Sequence, residues 1–502
     1  MRTIKKILVA NRGEIAIRVM RTAKEMGIKT VAVFSEADRN ALHVRYADEA
    51  VCIGAPPSNQ SYLLGDKIIA VAKSLNVDAI HPGYGFLSEN AGFSKAVKDA
   101  GMIFIGPSAE SINSMGSKIA AKETAKKYNV PLVPGTENAV LACAEALKIA
   151  KEIGFPILIK ASAGGGGKGM RAVYKEEELV EQYEMAKSEA KNSFGDDAVM
   201  IEKYVTAPRH IEIQVLCDNH GNGVYLFERE CSIQRRHQKL VEEAPSACLT
   251  PAIRKEMGEC AVRLALSSNY SGAGTVEFLV DDKLNFYFLE MNTRLQVEHP
   301  VSEIICDKDL VAEQIKVAMD LPLSFKQEDL KINGHSIELR VCAEDPMNNF
   351  LPDIGKLVRY EKPNGTGVRV DDAYEEGMDI PIYYDPMIAK LIVHAPTREE
   401  AINRLCRAID EYKITGIQTT LQFGKWVVQH EDFRTGNLTT HFIDKNFKPE
   451  YLRTETVEEA NIAALVAAQI FENKTASTNN SPANVVESVA KNDWRKRREM
   501  RS

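Results

Sequence analysis

The first hundred residues alternate short apolar runs with stretches of helical spacing. "KKILVA" reads as a strand. "GEIAIRVMRTAKEMG" sets Ile15, Ile17, Val19 and Met20 at helical spacing and stops at a glycine, and "KTVAVFS" is the next strand. Strand, helix and strand at this distance imply a parallel α/β unit. The pattern continues through "KIIAVAKSLNVDAIHPGYGFLSEN" and "AVKDAGMIFIG", so residues 1–114 are expected to form one open α/β domain. A Lys- and Ala-rich helix is predicted over 115–132. Strands then crowd together: "FPILIK", a glycine run, "MRAVY", a charged helix, "AVMIEKYV", and "HIEIQVLCD" turning through "NHGNG" into "GVYLFERE". A helix near 251–268 leads into "GAGTVEFLVDDKLNFYFLEMNTRLQVEHP", and mixed α/β sequence runs to 447. The end is a helix-like "TVEEANIAALVAAQIFE", a polar linker and the basic "KNDWRKRREMRS" with Trp494.

Composition narrows the class. A chain of 502 residues exceeds a single core, and about three domains is the expectation. The net charge of −7 argues against a nucleic-acid surface along the whole chain. The nine cysteines include no C-x-x-C pair, which disfavours zinc and a disulfide framework and fits buried thiols in a reducing compartment. The N-terminus enters a strand directly, and no apolar run approaches 18 residues. These features predict a cytoplasmic protein with neither a membrane nor a nucleic-acid partner.

The run "ASAGGGGKGM" at 161–170 demands explanation, because each glycine loses more backbone freedom on folding than any other residue. Gly164–Gly169 satisfy G-x-G-x-x-G, but a strand follows where a dinucleotide site needs a helix. A P-loop would need glycine at Ser162 and a hydroxyl at Gly169. What remains is a glycine-rich hairpin whose bare N–H groups fold over phosphates, with Lys168 adding charge, or else a floppy surface loop. Lys160, at the end of the preceding strand, favours the phosphate reading.

In "LEMNTRLQVEHP", Glu290, Asn292, Arg294, Gln296 and Glu298 share one face of a predicted extended strand, and Met291, Thr293, Leu295 and Val297 the other. If "TVEFLV" and "NFYFLE" pair across "DDKL", Glu277 and Glu290 lie opposite each other, and two such charges repel unless a cation sits between them. Mg²⁺ suits one or two carboxylates plus substrate phosphates. A phosphate loop, strand-end lysines and a carboxylate pair make a nucleoside triphosphate site, with Arg294 and Glu298 placed to hold an anionic second substrate and take its proton.

These motifs resemble the biotin carboxylase family of the ATP-grasp superfamily. The matches run in order from residue 3 to 447: "ILVANRGEIAIRVMRTAKEMG", "HPGYGFLSEN", "IKASAGGGGKGMR", "EKYVTAPRHIEIQV", "ECSIQRRHQKLVEEAP", "EMNTRLQVEHPVSE" and "AEDP". The resemblance implies that ATP and bicarbonate give carboxyphosphate, which carboxylates biotin on a carrier. It implies nucleotide roles for Lys118, Lys160, Met170, Glu202, Lys203, Val205, His210, Gln234, His237 and Leu279. Gly164, Gly165, Gly166, Gly167, Lys168 and Gly169 match the lid loop. Val205 stands where other members have leucine, and Lys168 where arginine is common, which keeps charge without bidentate geometry. Glu277, Glu290 and Asn292 match metal positions for Mg²⁺ or Mn²⁺. Lys239, Arg294, Gln296 and Val297 match the bicarbonate pocket, Glu298 its general base, and Arg340 the group that steadies the biotin anion. Tyr84 and Glu89 match a loop beside that pocket.

The implied architecture is α/β and α+β: an open parallel N-terminal domain (1–114), an ATP-grasp domain (115–320, lid 132–205), a C-terminal mixed domain (321–447), and a helix, linker and basic tail (448–502). No Met-Lys-Met biotinyl signature is present, and the segment after 450 is short for such a domain. The carrier and the carboxyltransferase are therefore expected on separate chains, and the resemblance implies a homodimer. The acceptor reading leans to acetyl- or propionyl-CoA, with a two-subunit pyruvate carboxylase as the alternative. More distant readings are another ATP-grasp ligase, a nicotinamide-binding oxidoreductase and a catalytically dead subunit.

Overall fold

The computed structural model describes residues 2–116, 118–136, 138–161, 170–194, 197–453 and 461–470. Five strands, β1 (Lys6–Val9), β2 (Lys29–Ser35), β3 (Glu49–Gly54), β4 (Ala79–His81) and β5 (Ile103–Phe104), form a sheet in the order β3-β2-β1-β4-β5. All pairings are parallel. Ile15, Val19 and Met20 of helix Gly13–Glu25 pack with Ile7 and Val9 in one core. Leu8, Val31 and Val33 pack with Ile68, Phe93 and Val97 in another. Burial on both faces is why these strands read as unbroken apolar runs. The crevice between β1 and β4, where open α/β sheets take dinucleotides, holds a side chain of the protein itself. The Asn11 amide donates to the carbonyls of Pro82 (2.8 Å) and Tyr84 (2.7 Å).

Strands β6 (Ile157–Ala161), β7 (Met170–Val173) and β8 (Val199–Lys203) form a small antiparallel sheet. Lys160 pairs with Met170, so the glycine run does join two arms of a hairpin. Helices Cys143–Ile153 and Leu179–Phe194 close over this sheet around Ile157, Ile159, Val173, Tyr183, Val199 and Ile201. Gly164–Gly169, with Lys168, lie outside the described residues, as do the side chains of Lys118 and Met170.

The main body is one antiparallel sheet of eight strands. Strands β9 (Arg209–Cys217), β10 (Gly223–Arg235), β11 (Gln238–Ala244), β12 (Gly272–Val280), β13 (Phe286–Asn292) and β14 (His335–Cys342) lie in the order β13-β12-β9-β10-β11-β14, extended by strands Met387–Ala395 and Val368–Asp372. Alternation divides the two faces of the central strands. Ile211, Ile213, Val215, Val276 and Phe278 point into an apolar core with Met257, Ala261 and Leu264 of helix Pro251–Ser267. Their neighbours His210, Glu212, Gln214, Thr275 and Glu277 point the other way, into a buried polar layer.

Within the helix predicted over 115–132, Lys118–Lys127 is helical, and helix Ala109–Gly116 precedes it. One sequence expectation changes. The predicted extended strand over 290–298 ends at Asn292, and Glu298 is the N-cap residue of helix His299–Cys306. Alternation misled there, because extended loop and strand share a two-residue period. Of the segment after 451, residues 461–470 form a helix with Ile462, Leu465, Val466 and Ile470 exposed. Trp494 and the basic end lie outside the described residues.

Phe278 is fully buried, edge-on to Phe286 and Phe288. Phe278→Ala should lower unfolding free energy by about 3–5 kcal/mol, read by denaturant titration.

Candidate active site

Strand register builds the site. Arg229 on β10 pairs with Glu212 on β9, Glu212 with Glu277 on β12, and Glu277 with Glu290 on β13. One row across four strands thus carries a cation and three carboxylates. Arg229 is fully buried, and its guanidinium donates to Glu212 (2.5 Å), Gln214 (2.7 Å), Ser302 (2.9 Å) and Thr275 (3.0 Å).

Lys239 on β11 reaches into this row. Its ammonium donates to Glu212 (2.5 Å), Glu298 (2.8 Å) and Glu277 (2.9 Å). Glu277 also accepts from Asn292 (2.8 Å) and Gln296 (3.2 Å) and lies 2.9 Å from His210 Nε2. Burial alone would raise the Glu277 carboxyl, but Lys239 and His210 hold it below the usual carboxylate range. On sequence grounds a cation belongs between Glu277 and Glu290. In the structure Glu277 already faces two basic side chains of the protein, so repulsion across the pair does not by itself call for a metal. Glu277 and Glu290 are cross-strand partners and Asn292 stands two residues beyond Glu290 on β13; two carboxylates and an amide oxygen are donor types that a hard divalent cation takes. His210, Glu212 and Glu277 also converge, but Arg229 and Lys239 neutralise Glu212 there.

Glu298 is fully buried between two cations, Lys239 (2.8 Å) and Arg340 Nη2 (2.9 Å). Burial favours its neutral form, yet Lys239, Arg340 and Arg229 hold the carboxyl well below its ordinary value. Arg340 Nε is anchored on Glu242 at 2.6 Å. The Arg294 side chain lies in the loop after β13, where its Nε donates to Glu89 (2.9 Å) and its other nitrogens to Gln296 (2.7 Å) and Asn292 (3.2 Å). Glu89 accepts from the Thr293 amide (2.9 Å), which ties the loop after β4 to this one. The Tyr84 hydroxyl donates to Glu14, and the Val297 carbonyl accepts from Lys390 (2.9 Å).

Other sequence-selected residues lie on or beside β6, β8 and the central sheet. Lys160 (2.5 Å) and Lys122 (3.3 Å) meet Glu202. Lys203 turns to the carbonyls of Gly154 (2.9 Å) and Phe155 (3.0 Å). Val205 follows β8, Leu279 pairs with His210, and Gln234 pairs with Lys239 beside the turn that carries His237. The sequence reading missed Glu14, Glu212, Arg229, Glu242, Glu338 and Lys390. A signal existed: in "HIEIQVL" and "SIELRVC" polar residues alternate with Ile, Leu and Val, so one face of each strand is charged.

Comparison with known proteins fixes the class. Models described as the biotin carboxylase N-terminal domain, the carbamoyl-phosphate synthase L chain ATP-binding domain and the biotin carboxylase C-terminal domain match residues 3–112, 117–326 and 338–445. The chain is 51% identical to the propionyl-CoA carboxylase alpha chain of Ruegeria pomeroyi, over 94% of this chain and 72% of that one. It is 54% identical to a pyruvate carboxylase subunit of Methanothermobacter thermautotrophicus (88% and 89%) and 52% identical to biotin carboxylase 1 of Bacillus subtilis (88% and 98%). Among solved structures, the biotin carboxylase domain dimer of Hydrogenobacter thermophilus 2-oxoglutarate carboxylase, in complex with MgADP, ADP and bicarbonate, superposes with a TM-score of 0.81 at 48% identity, over 91% of this chain and all of that one. Fold and site therefore define an ATP-dependent carboxylating ligase. The chain belongs to the biotin carboxylase family.

Lys239→Met should leave three buried carboxylates short of one cation and destabilise the fold by about 3–5 kcal/mol. Glu277 and Glu298 have folded pKa values below the ordinary 4.5, so their stabilisation is complete above that pH and is lost as pH falls. In Lys239→Met the acid-unfolding midpoint, followed by circular dichroism, should move to higher pH.

Proposed function

We propose that this chain uses ATP and bicarbonate to carboxylate biotin borne by a separate carrier protein, as the biotin carboxylase component of an acyl-CoA carboxylase. The observation that carries the half-reaction is Glu298, a buried carboxylate clamped by Lys239 and Arg340. While both cations hold it, Glu298 is a weak base. Bicarbonate arriving at Lys239 and Arg294, with Gln296 and the Val297 backbone beside them, draws positive charge onto itself. Glu298 then gains proton affinity as the substrate to be deprotonated arrives. Arg340 steadies the biotin anion that attacks carboxyphosphate, and Tyr84 and Glu89 border the same pocket.

The nucleotide is assigned to Lys118, Lys160, Met170, Glu202, Lys203, Val205, His210, Gln234, His237 and Leu279, beneath a lid spanning 132–205 whose Gly164–Gly169 loop covers the phosphates. Carboxyphosphate hydrolyses readily, so closure excludes water. Mg²⁺ or Mn²⁺ held by Glu277, Glu290 and Asn292 would neutralise phosphate charge. The remaining assignments are domain limits at 114, 320 and 447, a homodimer, a carboxyltransferase on a separate chain and a cytoplasmic location. No helix among the described residues is long and apolar enough to cross a membrane.

The acceptor reading draws support from the extent of the matches. An alignment covering 94% of the chain must run into the 461–470 helix, and that coverage belongs to propionyl-CoA carboxylase alpha chains. The pyruvate carboxylase relative, matched over 88%, has the higher identity and supports the second reading.

ATP hydrolysis should depend on bicarbonate and rise with free biotin; ATP binding without that dependence would point to another ATP-grasp ligase. Glu298→Gln should bind ATP normally and turn over at least about 100-fold more slowly, and equal turnover would remove Glu298 as base. Glu290→Ala should shift the Mg²⁺ titration of activity to higher concentration. Reconstitution with carrier and carboxyltransferase chains, offered acetyl-CoA, propionyl-CoA and pyruvate in turn, decides the acceptor.

A further inference from the structure

Behind Arg340 lies a carboxyl group that the reaction described above does not use. Glu338 sits two residues before Arg340 on β14, on the same face, and is fully buried. Neither of its carboxyl oxygens has a hydrogen-bond partner among the described residues. It lies directly opposite Glu242 on β11, and Glu242 Oε2 is buried and likewise without a partner among them. The cations nearby are already committed. Arg340 serves Glu242 and Glu298. Lys390, which pairs with Arg340 across the ladder, serves Glu14 (3.2 Å), the Val297 carbonyl (2.9 Å) and, more distantly, Asp371 (3.9 Å).

A buried carboxylate with no donor is among the costliest groups a protein can hold, whereas a carboxylic acid facing a carboxylate satisfies both. Two unpartnered oxygens on residues paired across a ladder can serve each other as acid and acceptor. We propose that Glu338 is a positioning residue: a neutral carboxylic acid that donates its proton to Glu242, so that the pair carries one negative charge and fixes Arg340 towards the biotin anion.

Glu242 (β11), Arg340 (β14), Lys390 on Met387–Ala395, Arg369 and Asp371 on Val368–Asp372, Glu298, His299 and Glu303 at helix His299–Cys306, Glu14 and Arg18 on helix Gly13–Glu25, and Tyr84 face this layer. Burial, then Glu242, push the Glu338 carboxyl well above its ordinary value, with Lys390 and Arg340 opposing; burial pushes Glu242 up to about 7. Loss of the shared proton at alkaline pH would add a second negative charge beside Arg340, pull the guanidinium back and repel bicarbonate and the biotin anion.

This inference rests on Arg340 acting on biotin, so the test separates the two. Infrared difference spectra of the full chain, with and without Glu338→Gln, should show one protonated-carboxyl C=O band that the substitution removes. That readout does not depend on what Arg340 does. Biotin-dependent kcat/KM against pH should show an alkaline limb in the parent that Glu338→Gln lacks, with the KM for ATP unchanged. Glu338→Leu, which leaves Glu242 unpaired, should lose about tenfold in biotin kcat/KM. Absence of the carboxyl band in the parent, or an alkaline limb unchanged in Glu338→Gln, would overturn the proposal. The band together with an Arg340→Gln variant as active with biotin as the parent would keep the shared proton, remove its link to biotin, and so overturn the positioning role. If Glu338→Gln does not fold, Glu242→Gln supplies the infrared comparison: the band should shift or vanish when its acceptor changes, and an unchanged band would overturn the proposal.

Discussion

Lys239, partly buried at the edge of the polar layer, donates to three buried carboxylates, Glu212, Glu277 and Glu298. Isolated in such a place, any of these four charges would be too costly to keep. Together they are tolerable, and each fixes the position of the others. Arg229 pins Glu212 from one side, and Arg340 pins Glu298 from the other. The chain from Arg229 through Lys239 to Arg340 alternates in sign, and its members come from four different strands and one helix terminus. The site is thus held by the same charges that give it chemistry. Charge density also explains why an anionic substrate can enter: it replaces carboxylates as the partner of cations already desolvated.

The sheet makes this arrangement affordable to fold. One face of the central strands buries Ile211, Ile213, Val276 and Phe278 against helix Pro251–Ser267. That apolar contact supplies the driving force, which leaves the opposite face free to carry charge. The smaller β6–β8 body has its own core around Ile157, Tyr183 and Ile201. Its side chains do not depend on the polar layer for packing.

Much of this was legible in the sequence. β1, β2 and helix Gly13–Glu25 follow from apolar runs and helical spacing, and the facing of Glu277 and Glu290 followed from a hairpin drawn across a four-residue turn. What stayed hidden was long-range. Lys239 stands 59 positions from Glu298, and Arg340 stands 98 from Glu242. No local period reports such pairings. The 290–298 stretch failed in the opposite way: its two-residue alternation was real, but strand and extended loop share that period, and only the helix capped at Glu298 marks where one becomes the other. The family resemblance supplied residue roles that spacing could not, but it was silent on the carboxyl pair behind Arg340, which only the ladder register brings together.

The eight-stranded sheet crosses the boundary between the ATP-binding and C-terminal matches without a break, because β11 and β14 are hydrogen-bonded neighbours. This sets how the family's parts can be exchanged. A chimera joined between residues 326 and 338 would ask two ladders of different ancestry to share an edge, with Glu242 supplied by one parent and Arg340 by the other. A junction after residue 447 leaves that ladder whole. Recombination among carboxylases of different acceptor can therefore treat the eight-stranded sheet, from Arg209 to Ala395, as one cassette.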